Sequence, residues 1–227
     1  MIEKNEAISP EESIVNFIFD SIFDKKLRPG MKVSESVLAK EFNCSRDVIR
    51  KAFSKLVTMG VFTYEKNKGF HVVWLDEEAT KNIFDARKVI EQGIVEILAK
   101  KCKTSGVDLS HLSKEVDTEE YLKVSYKNGE YVKSSCDFHL SLAILSGNEF
   151  LINALKPLIP LSILAALIFE DENTSFCSYD EHREVIKSIE SGDAEWAKKV
   201  MTQHLDNCVY VLNFDLLPSK KNTFIFS

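Results

Sequence analysis

No apolar run in this 227-residue chain approaches the roughly 20 residues that a helix needs to cross a bilayer. Its opening, MIEKNEAISPEES, is too polar for a signal peptide. The two absences set the expectation of a cytoplasmic protein without a membrane partner. Cysteine is present without a pattern: Cys44, Cys102, Cys136, Cys177 and Cys208 are five, widely spaced, with no CxxC pair. Such spacing argues against a disulfide framework and against a thiolate zinc site, so reduced, packed thiols are expected. There is no internal repeat and no low-complexity tract. A positive balance is missing too, since the formal net charge of −6 by itself opposes a nucleic-acid partner.

What is present is unevenly distributed. Between residues 45 and 71, six basic residues (Arg46, Arg50, Lys51, Lys55, Lys66, Lys68) face only Asp47 and Glu65, a local balance of +4. In NCSRDVIRKAFSKLVTMG, Ser45 is placed as an N-cap, and Val48, Ile49, Ala52, Phe53, Leu56 and Val57 recur at helical spacing. The other face carries Arg46, Arg50, Lys51 and Lys55. Two arginines four apart on the first turns of a helix point the same way, and forked donors of this kind suit phosphates and the acceptor edge of guanine. A footprint of +4 is small and needs doubling by a dimer partner to bind tightly.

The flanks extend this pattern. Ser9 precedes Pro10 as a cap for a first helix over 10–26, and a Pro-Gly turn leads to a short second helix opened by Ser34. After Gly60, two short β runs, 61–65 and 70–74, are joined by Lys66-Asn67-Lys68-Gly69. Three helices followed by a basic-tipped hairpin predict a winged helix-turn-helix. From Asp76 onward strands disappear, and helices are predicted over 77–103, 115–131, 130–147, 149–170, 178–191 and 193–214. The expected fold is mainly α: a winged helix-turn-helix DNA-binding domain over 1–75, then an all-α helical bundle over 76–227. With 44% hydrophobic residues the chain is long enough for two such cores.

On these residues the chain resembles the GntR family of bacterial transcription regulators, in its FadR-type branch with an all-helical FCD effector domain. LRPGMKVSESVLAKEF fits the pattern LxPGxxLxExxLAxxL, SRDVIRKAFSKLVTMGVF fits SRxxVRxALxxLxxxGLV, and KGFHVV fits the wing pattern RGxxV. The second half resembles the family through FDARKVIEQGIVEILAKK, FHLSLAILSGNEFL and EHREVIKSIESGDAEWAKKVMTQHLDN. The resemblance implies that Arg46 and Arg50 reach bases or nearby phosphates in the major groove, that Ser45 caps beside a phosphate, and that Lys68 and Gly69 form a wing tip at the minor groove. Asp47-Val48 departs from the family's usual Thr-Pro or Thr-Thr, so operator sequence does not transfer.

Apolar periodicity places three histidines inward: His139 with Leu142 and Ala143, His182 with Val185, Ile186 and Ile189, His204 with Val200 and Cys208. Three inward imidazoles suggest one polar pocket, although each is equally readable as a core histidine bonded to a carbonyl. The resemblance implies that histidines in these places bind a divalent metal, joined by an acid or amide one turn before the first. Here that position is Ser135. Three imidazoles can still hold zinc or nickel, with water or an effector carboxylate completing the shell. Arg87 matches a family arginine that faces the effector cavity, where it would fork onto an organic acid.

The reading that results is a transcription regulator, in the repressor sense, that binds a palindromic DNA operator as a homodimer and responds to a small metabolite of carboxylate type. Two others stand beside it: a metal-dependent hydrolase using the three histidines, and a regulator whose degenerate effector half only dimerises.

Overall fold

The computed structural model describes residues 8–125, 128–169 and 177–215. The chain divides into two compact units that meet in sequence between Trp74 and Leu75.

The first unit opens with α1 (Pro10–Phe23), whose start is fixed by a capping box: the Ser9 hydroxyl accepts from the Glu12 amide and the Glu12 carboxylate accepts from the Ser9 amide. β1 (Lys32–Val33) follows, then α2 (Glu35–Glu41), α3 (Arg46–Thr58), β2 (Phe62–Glu65) and β3 (Gly69–Val72). The Ser34 hydroxyl does not cap α2; it pairs with Ser36 Oγ. Ser45 does cap α3, accepting from the Val48 amide at 3.4 Å. Ile49, Ala52, Phe53 and Leu56 are fully buried, whereas Val57 is exposed, so the apolar face of α3 is narrower than its sequence suggests. Phe53 stands edge-on to Phe62 and Phe70, joining α3 to the sheet. Gly60 follows the helix at φ 74°, a left-handed turn that releases the chain into β2.

The sheet has three strands, not two. β1 pairs antiparallel with β3, giving the order β1-β3-β2. MKV after the Pro-Gly turn is too short to announce a strand by alternation. It is recruited by the open edge of β3, where the Gly30 amide also bonds the Val72 carbonyl.

The second unit is helical throughout its described residues: α4 (Glu77–Thr104), α5 (Ser110–Val124), α6 (Asn128–Ser146), α7 (Glu149–Leu155), α8 (Leu158–Phe169), α9 (Tyr179–Glu190) and α10 (Ala194–Tyr210). α4, 28 residues long, is the spine against which α6, α7, α8, α9 and α10 pack. Two expectations are corrected. α5 starts and ends earlier than 115–131, because the Asp108 carboxylate takes the Ser110 amide and fixes the start. The segment 149–170 is two helices, since Pro157 has no amide hydrogen to donate to the turn before it, although Lys156 itself keeps helical geometry.

That segment also corrects the reading of apolar runs. Glu149–Phe169 is long and apolar enough, by composition, to span a bilayer, with a mean hydropathy of 1.9 over 18 residues and 56% of that window buried. Its apolarity has a local cause in α8, where ten of twelve residues are buried. The expected breaks at Asp171-Glu172-Asn173 lie outside the described residues.

Candidate functional site

The basic face of α3 is laid out as its periodicity requires. Ser45, Arg46, Arg50, Lys51 and Lys55 are exposed, while the residues between them fill the core. Arg50 is already engaged: its Nε and Nη2 donate to the two carboxylate oxygens of Glu35 on α2, at 3.2 and 3.3 Å. This forked pair holds the guanidinium at the junction of α2 and α3. Lys68, at the turn between β2 and β3, pairs with Glu65 across 2.5 Å. Gly69 sits at φ 93°, backbone that a side chain would strain, and leaves the wing tip slim.

The second constellation is buried and assembled from four places in the chain. His139 on α6, His182 on α9 and His204 on α10 are 3%, 0% and 1% exposed, and their rings meet within 5.2 Å of one another. Each turns its Nδ1 to a carboxylate: His139 to Glu91 (2.5 Å), His182 to Glu119 (2.8 Å), His204 to Glu181 (2.7 Å). An imidazole fixed through Nδ1 presents Nε2 inward, which is how carboxylates orient metal-binding histidines. His139 and His204 bring their Nε2 atoms to 3.3 Å. The Cys177 sulfur completes the group, 3.2 Å from His182 Nε2 and 3.5 Å from His204 Nε2.

Three nitrogens and one sulfur lie within 4.8 Å of one another. A tetrahedral zinc ion, with Zn–N of about 2.0–2.1 Å and Zn–S of about 2.3 Å, separates its ligands by about 3.3–3.4 Å for N···N and about 3.5–3.6 Å for N···S. Three of the six spacings, 3.2, 3.3 and 3.5 Å, match those edges to within about 0.4 Å, and all six stay within 4.8 Å. The donor set therefore fits a zinc-like ion. The fourth donor is not at Ser135, which is buried on α6 with its hydroxyl unpartnered among the described residues. Cys177, just before α9, offers it instead, a thiol that is reduced and packed as expected but stands among the imidazoles.

Charge is arranged to match. Burial opposes ionisation of Glu91, but Arg87 and His139 outweigh it and hold the carboxyl down at about 2. Burial likewise works against the His182 cation, yet the Cys177 sulfur and Glu119 raise it to about 10. The Cys177 thiol is drawn well below its ordinary range despite burial, because the Cys208 thiol donates to its sulfur and two imidazoles stand beside it.

Arg87 on α4 belongs to the same cluster. Its Nε donates to Glu91 Oε1 at 2.7 Å, so Glu91 bridges Arg87 and His139, and its Nη1 donates to Ser162 at 3.2 Å. Nη2 is buried and has no hydrogen-bond partner among the described residues. The full fork expected for an organic acid is thus partly committed, leaving one donor for a ligand.

Comparison with known proteins covers both halves of the chain. The FCD domain model matches residues 82–207, and the model for bacterial regulatory proteins of the gntR family matches residues 10–72. The chain belongs to the GntR family of regulators with an FCD domain. Among relatives of this GntR/FCD regulator, the HTH-type transcriptional regulator LutR of Bacillus subtilis is 25% identical across 83% of this chain and 94% of its own length. A gluconate operon transcriptional repressor of Bacillus licheniformis is 29% identical across 80% of this chain and 76% of its own. A putative GntR regulator from Rhodococcus shares the fold at a TM-score of 0.74 with 20% identity, covering 88% of this chain and 95% of that one. E. coli McbR/YncC does so at 0.76 with 13% identity, covering 90% and 97%. These relatives are regulators and not enzymes, so the hydrolase reading has no support.

Sequence reasoning placed the three imidazoles but missed Cys177, Glu91, Glu119 and Glu181. The carboxylates had one legible signal: Glu91 falls on the buried face of α4 one turn after Arg87, where an uncompensated acid is costly. Cys177 had none, because it lies outside a helix and joins the others only through the fold.

Proposed function

We propose that this GntR/FCD regulator is a cytoplasmic, metal-holding repressor that binds a palindromic operator as a homodimer and responds to a small carboxylate. In this reading residues 1–75 read DNA. Arg46 and Arg50 enter the major groove, with Ser45, Lys51 and Lys55 along the phosphates and Lys68 and Gly69 at the minor groove. Residues 76–227 dimerise and sense.

The observation that carries the reading is the convergence of His139, His182, His204 and Cys177 with three carboxylates behind the imidazoles. A donor set that includes a thiolate favours zinc over magnesium or calcium, with nickel as the competitor, and an ion there supplies fixed positive charge at the heart of the bundle. The spare Arg87 Nη2 supports a carboxylate ligand beside the ion, held by one charge-assisted bond.

Metal analysis of protein purified without a nickel column tests the centre. About one equivalent of metal is expected after zinc addition. Less than about a tenth of an equivalent overturns it, since four preorganised donors bind zinc tightly. In the cobalt-substituted protein, a thiolate-to-cobalt charge-transfer band that vanishes in Cys177→Ser identifies the fourth ligand.

A further inference from the structure

The centre holds more sulfur than a four-donor site uses. Cys208 on α10 lies one turn after His204, with its sulfur 3.9 Å from His204 Nε2. The Cys177 sulfur is 3.5 Å from the same nitrogen, so both sulfurs stand against one imidazole. Two thiols gathered on one ring are an arrangement in which one sulfur can be oxidised and the other can resolve the product.

We propose that Cys177 and Cys208 form an oxidation site for hydroperoxides, closing to an intramolecular disulfide. The Cys177 sulfur attacks one peroxide oxygen; the O–O bond breaks, an S–O bond forms, and the departing oxygen leaves as water with the proton of the Cys177 thiol. The Cys208 sulfur then attacks the sulfenic sulfur. The S–S bond forms, the S–O bond breaks, and the hydroxyl departs as water with the proton from Cys208. The two cysteines lose two electrons in total and the peroxide gains them.

Geometry distinguishes the partners. Both residues are buried, Cys177 at 9% exposure against 2% for Cys208, so Cys177 is the nearer of the two to the surface. It precedes Ser178, the N-cap of α9, and is outside any helix, while Cys136 and Cys208 are fixed within α6 and α10. A disulfide needs the sulfurs at about 2.05 Å, and the non-helical residue is the one that can close the gap. Its carbonyl accepts from the Tyr131 hydroxyl of α6 at 2.6 Å. Cys136 is buried in α6 and is the competing partner.

The chemistry stands without the metal. If the proposed ion is held, oxidation also removes its fourth donor, and that consequence rests on the preceding reading. The test uses the full chain with Cys44 and Cys102 changed to serine, treated with a few equivalents of hydrogen peroxide with and without prior zinc loading. Intact mass should fall by about 2 Da, reversibly with dithiothreitol, and peptide mapping should find Cys177 linked to Cys208. Cys208→Ser, or Cys208→Ala should the serine variant fail to fold, should show no such loss and should trap a sulfenic acid at Cys177 with dimedone. Survival of both thiols in excess peroxide, or a link from Cys177 to Cys136, overturns the proposal. A chromogenic chelator reads zinc release in the loaded sample: a disulfide with no zinc ever bound sinks only the metal reading, and bound zinc with no disulfide sinks only this one.

Discussion

The basic face of α3 and the histidine centre both concentrate charge, but they hold it in opposite ways. On α3 the cations are exposed, each answers to at most one acid, and water screens the pairs; Arg50 and Glu35 meet at 3.2 Å with the arginine side chain 63% exposed. In the centre the three imidazoles, Glu91 and Glu119 are buried, with only Glu181 partly exposed, and a carboxylate fixes every imidazole. An exposed cation can change partner at little cost, as a DNA-reading surface requires. A buried one is committed to its geometry, and removing a partner leaves an uncompensated charge.

The comparison breaks most visibly where a buried donor is deleted. His204→Ala should lower zinc affinity by more than 100-fold. Glu119→Gln, which touches no ion but orients His182, should lower it by about ten- to a hundredfold. Competition titration against a chromogenic chelator measures both. Equal affinity in the Glu119 variant would mean that the carboxylates only fill space.

Acid should separate the two regions next. The Glu91 carboxyl, held at about 2 against an ordinary 4.5, is depressed in the folded chain. Its stabilising contribution is complete above about pH 4.5 and is lost as pH falls towards 2, amounting to about 2 kcal/mol between pH 5 and pH 3. Urea unfolding of the metal-free chain, followed through the helical unit, should show that slope, and Glu91→Gln should flatten it. The exposed pairs on α3 should contribute no comparable slope.

The same contrast decides what the sequence could reveal. α3 was legible because its function lies on one helix: a cap at Ser45, a core stripe of Ile49, Phe53 and Leu56, and arginines on the remaining face follow from a 3.6-residue period. The wing was legible through its turn chemistry, whereas β1 was not, since two residues carry no alternation. The histidines were legible singly, each by its own helix. Their joining to Glu91, Glu119 and Cys177 was not, because, apart from Cys177 with His182 five residues on, those contacts span 27 to 63 residues and depend on how α4, α5, α6, α9 and α10 pack. The break at Pro157 was readable in principle, but the apolar run across it masked the signal.

On the exposed side, Arg50→Ala should weaken operator binding at least tenfold in a gel shift while leaving the circular dichroism spectrum unchanged. A base-reading arginine is worth about 1–3 kcal/mol, and this one supports no buried group. Unchanged affinity would reject α3 as the reader.

Glu35→Gln gives the smallest and most discriminating effect. Glu35 occupies the fork that Arg50 would offer to DNA, and its carboxylate adds negative charge beside the reading face. If it were an indispensable positioning group, as the carboxylates of the centre are for their imidazoles, its loss should weaken binding as much as removing the arginine. An exposed pair is worth only about 0–1 kcal/mol, so freeing the guanidinium costs little and also lessens repulsion of phosphate. Affinity should therefore rise about two- to threefold at low salt and converge with that of the parent as screening grows. A loss of tenfold or more would show that this surface pair behaves like the buried ones, and would erase the distinction between the two regions.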